Sequence, residues 1–244
     1  MGTGKNGASF GLCAKQGNSS KVLMDYCDAY TSPEGSLLLA LSDGMGGYGG
    51  GEVASAIAVQ TTIEVFQRSG FTNVRQALAE AIQLANQRIV DKQRTEPGLA
   101  QMGATIVLAV ASNGDLTVAH VGDSRAVLFR GEYLLRLTTD HLVIVEREGA
   151  LDNGAKSNPL FKGKSNVLSR YLGGPPPIPD FFEMKLETGD VIFLASDGIT
   201  EYLLESRISR IVRDEAPEVA AVNIVDEAIR NRSHDHCSAA IGKI

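Results

Sequence analysis

Residues 37–69 read LLLALSDGMGGYGGGEVASAIAVQTTIEVFQRS, and the order of events inside this stretch decides the fold class. The apolar run at its start is short, stops at Ser42-Asp43-Gly44, and has the length of one buried strand. From Glu52 onward apolar residues fall at three- and four-residue intervals, which predicts an amphipathic helix over EVASAIAVQTTIEVFQRS. After a GFT turn the same spacing predicts a second helix over NVRQALAEAIQLANQRIVDKQ, at the place where a βαβ unit would need a parallel strand.

Working outward, GASFGLCAK, LMDYCDAYTS and SLLLALSD read as three strands joined by the turn-rich QGNSS and SPEGS. Downstream, ATIVLAVAS, DLTVAHVGD, SRAVLFR and YLLRLTT form a meander with turns at Gly114 and Gly131. Residues 141–180 are irregular; they begin with a short helical HLVIVEREGAL, run through GAKSNP and GKSN to YLGGPPPIP, and are expected to form a flap. Two more strands, FFEMKLE and DVIFLAS, two helices near 200–213 and 217–230, and a closing strand CSAAIGKI complete the chain. Strands grouped apart from helices, with hairpin connections, imply an α+β layered sandwich: antiparallel sheets with helices packed on their outer faces.

The 244 residues are expected to form one domain, residues 1–244, and at 43% hydrophobic and 21% charged they can bury a sizeable core. Twenty-nine acidic against 23 basic residues give a net charge of −6, which argues against nucleic acid as a partner. Twenty-six glycines exceed the usual share of about 7% and point to special turns and close backbone approaches. Cys13, Cys27 and Cys237 are scattered without CxxC spacing, so neither a disulfide framework nor a zinc ribbon is indicated, and a cytoplasmic protein is expected. No window approaches eighteen uninterrupted apolar residues, MGTGKNGASF lacks a signal peptide's apolar stretch, and Asn6 breaks the myristoylation pattern; no membrane association is expected.

Three aspartates stand where an apolar strand stops: Asp43 after LLLALS, Asp197 after VIFLAS and Asp123 after LTVAHVG, each followed by Gly or Ser. A carboxylate at the end of a buried strand, with a small neighbour that lets the backbone come close, presents oxygen to a hard cation such as Mg²⁺ or Mn²⁺. One Asp-Gly alone is ordinary turn chemistry; two copies of an apolar run ending in Ser-Asp-Gly, together with GDSR, favour the metal reading. GMGGYG at 44–49 matches GxGxxG, but no second parallel strand ends in an acid about 20 residues on, and Asp43 would repel a pyrophosphate. GTGK at 2–5 lacks the strand, first glycine and hydroxyl residue of a P-loop. The cluster His234-Asp235-His236-Cys237 cannot turn four adjacent side chains onto one tetrahedral zinc; a loop-to-strand junction with Asp235 as a single ligand is favoured. His120 lies inside a strand, as a core or pairing residue, and His141 starts the flap. With no GxSxG elbow and no Cys-His pair, acyl chemistry on a protein nucleophile is not indicated.

In order, LSDGMGGYGGGEVAS, ATIVLAV, DLTVAHVGDSRAVLFRGEYLLRLTTDH, SRYLGG, GDVIFLASDGITEYL and HDHCSAAI resemble the metal-dependent Ser/Thr protein phosphatases of the type 2C (PPM) family, bacterial type, from about residue 9 to 244. The resemblance implies a four-layer α-β-β-α sandwich, two antiparallel sheets flanked by helix pairs, with a binuclear Mg²⁺ or Mn²⁺ centre at one end. It implies a reaction in which metal-activated hydroxide hydrolyses phosphoserine and phosphothreonine monoesters in one step; two ions about 3.5–4 Å apart suit this because they acidify water and clamp phosphoryl oxygens. By motif, Asp43 resembles the carboxylate bridging both ions, Gly44 offers its carbonyl, and Asp197 and Asp235 resemble ligands of the first ion. Asp28, in YCDAY, resembles the Asp of the family's N-E-D motif that holds metal-bound water, and Asp123 resembles the residue that forms a weaker third site with Asp197. The implied partners are phosphorylated proteins, targets of a Ser/Thr kinase, and the chain is expected to be a monomer.

Three departures follow from that alignment. Leu23 stands where the family has a phosphate-binding Arg, with Lys21 as a point-charge substitute; Cys27 replaces a water-orienting Glu; His236 replaces the usual Asn. Met45 leaves no side-chain general acid after the first Asp-Gly, so water would protonate the leaving serine. The departures support an alternative, a catalytically weak or inactive relative that binds phosphoproteins as a regulatory module. The complete set of aspartates favours the enzyme.

Overall fold

The computed structural model describes residues 8–18, 22–46, 49–146 and 164–244. The strands are β1 (Ser9–Lys15), β2 (Tyr26–Thr31), β3 (Leu37–Ser42), β4 (Gly44–Met45), β5 (Gly103–Ala104), β6 (Ile106–Ser112), β7 (Asp115–Val121), β8 (Arg125–Arg130), β9 (Tyr133–Arg136), β10 (Leu142–Glu146), β11 (Lys164–Leu168), β12 (Asp180–Lys185), β13 (Val191–Ala195) and β14 (Cys237–Lys243). The helices are α1 (Gly51–Ser69), α2 (Val74–Thr95), α3 (Asp197–Thr200), α4 (Glu205–Asp214) and α5 (Pro217–Arg230). Five strands in the order β12-β7-β6-β3-β2 make one antiparallel sheet, and β1-β14-β13-β8-β9 make the other.

The pleat explains the layering. In β3 every residue is buried; Leu37, Leu39 and Leu41 enter the core between the sheets, while Leu38 and Ala40 face the core under α1 and α2. A strand apolar on both faces needs an apolar layer on each side, and here those layers are a sheet and a helix pair. The second sheet repeats the arrangement: Ile192 and Leu194 point into the sandwich, and Phe193 and Ile241 meet Ile211 and Ile224 of α4 and α5. The result is the α-β-β-α sandwich implied by the sequence. Truncating a side chain such as Phe66 or Leu39, both fully buried, costs about 2–5 kcal/mol in cores of this kind.

Local signals agree with the helix pair. The Asn73 side chain accepts a hydrogen bond from the Gln76 N–H at 3.3 Å and donates to Gln76 Oε1 at 3.0 Å, a reciprocal cap at the start of α2. Pro217 opens α5, where its missing N–H costs nothing. Two expectations change. The start of HLVIVEREGAL is strand β10 because it finds a backbone partner: Leu142 to Glu146 pair antiparallel with Leu168 to Lys164 of β11. The helix expected near 200–213 is two pieces, α3 and α4, separated by a turn. The middle of the expected flap, residues 147–163, lies outside the described residues.

Candidate metal centre

Strand register, not sequence distance, gathers the acids. Tyr26 pairs with Ser42, which sets Asp25 beside Asp43 just beyond the ends of β2 and β3. Leu41 pairs with Val107 and Ile106 with Val121, which brings Thr105 and the Gly122-Asp123-Ser124 loop to the same end of that sheet. In the other sheet Ala195 pairs with both Ala239 and Arg125, so Asp197 and Asp235 flank the ends of β13 and β14 at the same level as the loop.

Hydroxyls lock these ends together. Thr105 Oγ1 accepts from the Asp43 N–H at 3.0 Å, and the Thr105 N–H returns a bond to the Asp43 carbonyl at 2.8 Å. Thr105 Oγ1 is also 2.7 Å from Ser124 Oγ, which links the Asp43 turn to the Asp123 loop. Ser238 Oγ donates to Asp25 Oδ2 at 2.6 Å, a bond that joins the two sheets. Two glycines are sterically required: a Cβ on Gly44 would collide with the Gly51 and Met24 carbonyls, and one on Gly198 would collide with the His236 carbonyl.

The electrostatics are those of an acid cluster short of positive charge. Burial pushes Asp43 well above the ordinary carboxylate range, and Asp25, Asp197, Asp235 and Asp123 push it further. Burial raises Asp25 to about 6 despite the hydrogen bond from Ser238 and the nearby Ser196 hydroxyl and His236. Burial, then Asp235 and Asp123, raise Asp197 to about 7, and burial raises Asp123. Among the described residues none of these carboxylates forms an ion pair with Lys or Arg. Asp25 Oδ1 and Asp197 Oδ1 are buried with no hydrogen-bond partner among the described residues. Buried carboxylate oxygens without donors are what a hard divalent cation satisfies, so the residues present fit Mg²⁺ or Mn²⁺.

Among the described residues, the group whose metal-ligating atoms all lie within 4.8 Å of one another is a different one, His120, His141 and Asp180. Most of its polar atoms already have protein partners. His120 Nε2 bonds the Thr139 carbonyl at 2.9 Å. His141 Nδ1 accepts from the Gly122 N–H at 3.1 Å, so the neutral ring carries its proton on Nε2, 3.0 Å from Asp180 Oδ2. The rings stack at 4.3 Å and 27°, which keeps their in-plane lone pairs from converging, and Arg170 places its charge on Asp180 at 2.7 Å. This is a clamp between the flap base and the Gly122 loop.

Of the residues singled out in the sequence, Asp43, Gly44, Asp123, Asp197 and Asp235 come together. Asp28 does not. It pairs with Ala40 as the third residue of β2 and shares the face of Tyr26 and Tyr30, which pack toward α1 and α2. Among the described residues its Oδ1 accepts the neighbouring Ala29 N–H and nothing else. Asp25, 3% exposed, occupies the place expected for Asp28. Lys21 lies outside the described residues. Asp25 was missed because MDYCDAY carries two acids and only the pairing with β3 says which one sits at the strand end; an acid directly before the first strand residue was the available signal.

The fold and this acid cluster fit a metal-dependent hydrolase of the sandwich type. The sequence profile of the Protein phosphatase 2C family matches residues 17–231, and the chain belongs to that family. It is 35% identical over 202 residues to protein phosphatase PhpP of Streptococcus pneumoniae, covering 79% of each chain. It is 31% identical over 183 residues to the serine/threonine phosphatase stp of Listeria monocytogenes, covering 72% of this chain and 71% of the relative. The crystal structure of the catalytic domain of the serine/threonine protein phosphatase PstP, in complex with 2 manganese ions, superposes with a TM-score of 0.78 at 23% identity over 97% of each chain, a likeness of fold.

Proposed function

We propose that the chain hydrolyses phosphoserine and phosphothreonine esters of proteins at a centre of two Mn²⁺ or Mg²⁺ ions held by Asp43, Asp197 and Asp235 with the Gly44 carbonyl. Asp123, with Asp197, would hold a weaker third ion. The observation that carries this reading is the cluster of aspartates at one end of the sandwich, in which the buried Asp25 Oδ1 and Asp197 Oδ1 have no partner among the described residues. Divalent ions there would supply an acidified water and neutralise phosphoryl charge. The chain's own residues do the positioning. Asp25 is fixed through Oδ2 by Ser238 and keeps Oδ1 to orient water, the task expected of Asp28. Thr105 and Ser124 hold the Asp43 turn and the Asp123 loop at a fixed spacing.

The register also revises the departures. Counted from Asp25, the residue five before is Ser20, not Leu23, and the residue immediately before is Met24, not Cys27. Neither count supplies the family's Arg or Glu, and Lys21 remains the candidate for the substrate phosphate. Phosphorylated proteins made by a Ser/Thr kinase are the proposed partners of a cytoplasmic, monomeric enzyme. Among the described residues no helix is long and apolar enough to cross a membrane.

The test is turnover of p-nitrophenyl phosphate and of phosphoserine and phosphothreonine peptides with added Mn²⁺, abolished by EDTA. Turnover no greater than that of Asp43→Asn would overturn the enzyme and leave the phosphoprotein-binding module.

A further inference from the structure

Gly122 is buried at a φ of 118°, and a Cβ there would collide with Thr105. Both of its backbone polar groups go to one residue: the N–H donates to His141 Nδ1 at 3.1 Å, and the carbonyl accepts the His141 N–H at 2.9 Å. A buried N–H needs an acceptor, and a neutral imidazole offers one lone pair, so this bond requires the His141 proton to sit on Nε2. That proton meets Asp180 Oδ2 at 3.0 Å, while Arg170 Nη1 donates to Asp180 Oδ1 at 2.7 Å and to the Ile178 carbonyl at 3.2 Å. The Ser169 N–H bonds the His141 carbonyl at 2.9 Å, and His120 stacks on the ring. The ring is thus fixed in place and in tautomer by groups that lie outside the aspartate cluster.

Asp123 stands between two anchored neighbours. Gly122 before it is held by His141, and Ser124 after it lies 2.7 Å from Thr105 through their hydroxyl oxygens. The Arg125 guanidinium, two residues on, is turned to Asp140 through Nε at 3.1 Å and Nη2 at 2.8 Å. The Asp123 carboxylate therefore takes its place from the backbone that carries it. We infer that His141 is the positioning residue of Asp123: its Nδ1 fixes Gly122, and through Gly122 it sets where the carboxylate of the weaker third cation site stands. This rests on the metal centre proposed above. The Arg125–Asp140 fork ties the same two segments independently, so loss of the ring should displace the loop rather than unfold the chain.

The experiment uses the whole chain. In metal-free, ¹⁵N-labelled protein, nuclear magnetic resonance should show His141 as the Nε2–H tautomer, with a scalar coupling across the hydrogen bond between Nδ1 and the Gly122 amide nitrogen. Mn²⁺ titrated by calorimetry should bind in a tighter and a weaker class, the weaker one abolished in Asp123→Asn. His141→Phe keeps a ring and removes the acceptor; it should weaken that class by about 10-fold or more, the usual effect of losing a group that supports a ligand, and leave the tighter class within about twofold. His141→Asn, whose Oδ1 can take the place of Nδ1, should recover most of the loss. A ring protonated on Nδ1 in the unaltered chain overturns the inference, and this spectrum decides even where a variant does not fold. The inference also falls, with the metal centre left standing, if His141→Phe leaves the weaker class unchanged or weakens both classes alike, as a merely structural role would. If Asp123→Asn removes no class of Mn²⁺ site, the weaker site itself falls and the inference with it.

Discussion

Strand β13 carries an aspartate just beyond each end, and the two are opposites. Asp190 precedes Val191; its carboxylate is held by Arg130 Nε at 2.9 Å and a second guanidinium nitrogen at 2.6 Å, and accepts the Glu187 N–H at 2.9 Å. Burial alone would raise it, yet the Arg130 bonds and the Glu187 N–H bring it below the ordinary range. Asp197 follows Ser196 at the other end, has a buried oxygen with no partner, and is raised to about 7. Burial acts on both. What differs is company: an arginine fork at one end, other carboxylates at the other. A buried aspartate with its cation supports the fold; a buried aspartate among its own kind is held there for something that binds.

The sharpest way to break that contrast is to replace each acid by its amide. Asp197→Asn and Asp43→Asn should lower kcat/KM with Mn²⁺ by roughly 10²–10³-fold or more, since they remove carboxylates that would hold the cations the anionic phosphoryl group needs. In metal-free protein the same changes should raise Tm, because a buried like charge disappears. Asp190→Asn should do the reverse. It leaves Arg130 without its fork, so Tm should fall by about 4 °C or more while the folded protein keeps its kcat/KM. Thermal unfolding with and without Mn²⁺, paired with initial rates, reads both effects. Equal losses of activity from Asp190→Asn and Asp197→Asn would erase the distinction.

Legibility in the sequence follows the same line. Asp43, Asp123, Asp197 and Asp235 could be read because each closes or opens an apolar strand, and a strand end is visible as a change of hydrophobicity. The layered fold was visible because two consecutive amphipathic helices exclude βαβ winding. Asp25 was not visible, since a three-residue choice within MDYCDAY depends on pairing with β3, which no local pattern encodes. Thr105 and Ser238 were equally silent: their roles arise from hydroxyl geometry across strands. Strand β10 was misread because a short apolar run with no partner in view fits either periodicity.

The choice between Asp25 and Asp28 yields the next effect in size. Asp25→Asn should cost about 10–100-fold in kcat/KM or in Mn²⁺ affinity, the usual effect of losing a group that supports a metal site. Asp28→Asn, in a side chain that among the described residues bonds its neighbour's N–H alone, should stay within about twofold. The opposite ranking in Mn²⁺ titrations and initial rates would restore the register read from the sequence.

The smallest effect is a pH dependence, and its sign separates the two ends of β13 without any substitution. Asp25 and Asp197 have folded-state pKa values of about 6 and about 7, above the ordinary 3.8. Between pH 4 and 7 the folded, metal-free chain therefore holds more protons than the unfolded chain on these groups, so their contribution to stability falls as pH rises across that window. Asp190 acts oppositely: its lowered pKa gives stability above the ordinary value that is lost as pH drops through the folded one. Metal-free Tm should thus decline by a few degrees from about pH 5 to 7.5, at roughly 2–4 °C for each kcal/mol in a chain of this length. Asp197→Asn should flatten the decline. Saturating Mn²⁺ should remove it, because the ion takes the place of the protons and binds more tightly as they leave. A metal-free Tm that rises over the same range would mean that the aspartates at this end are already paired, as Asp190 is.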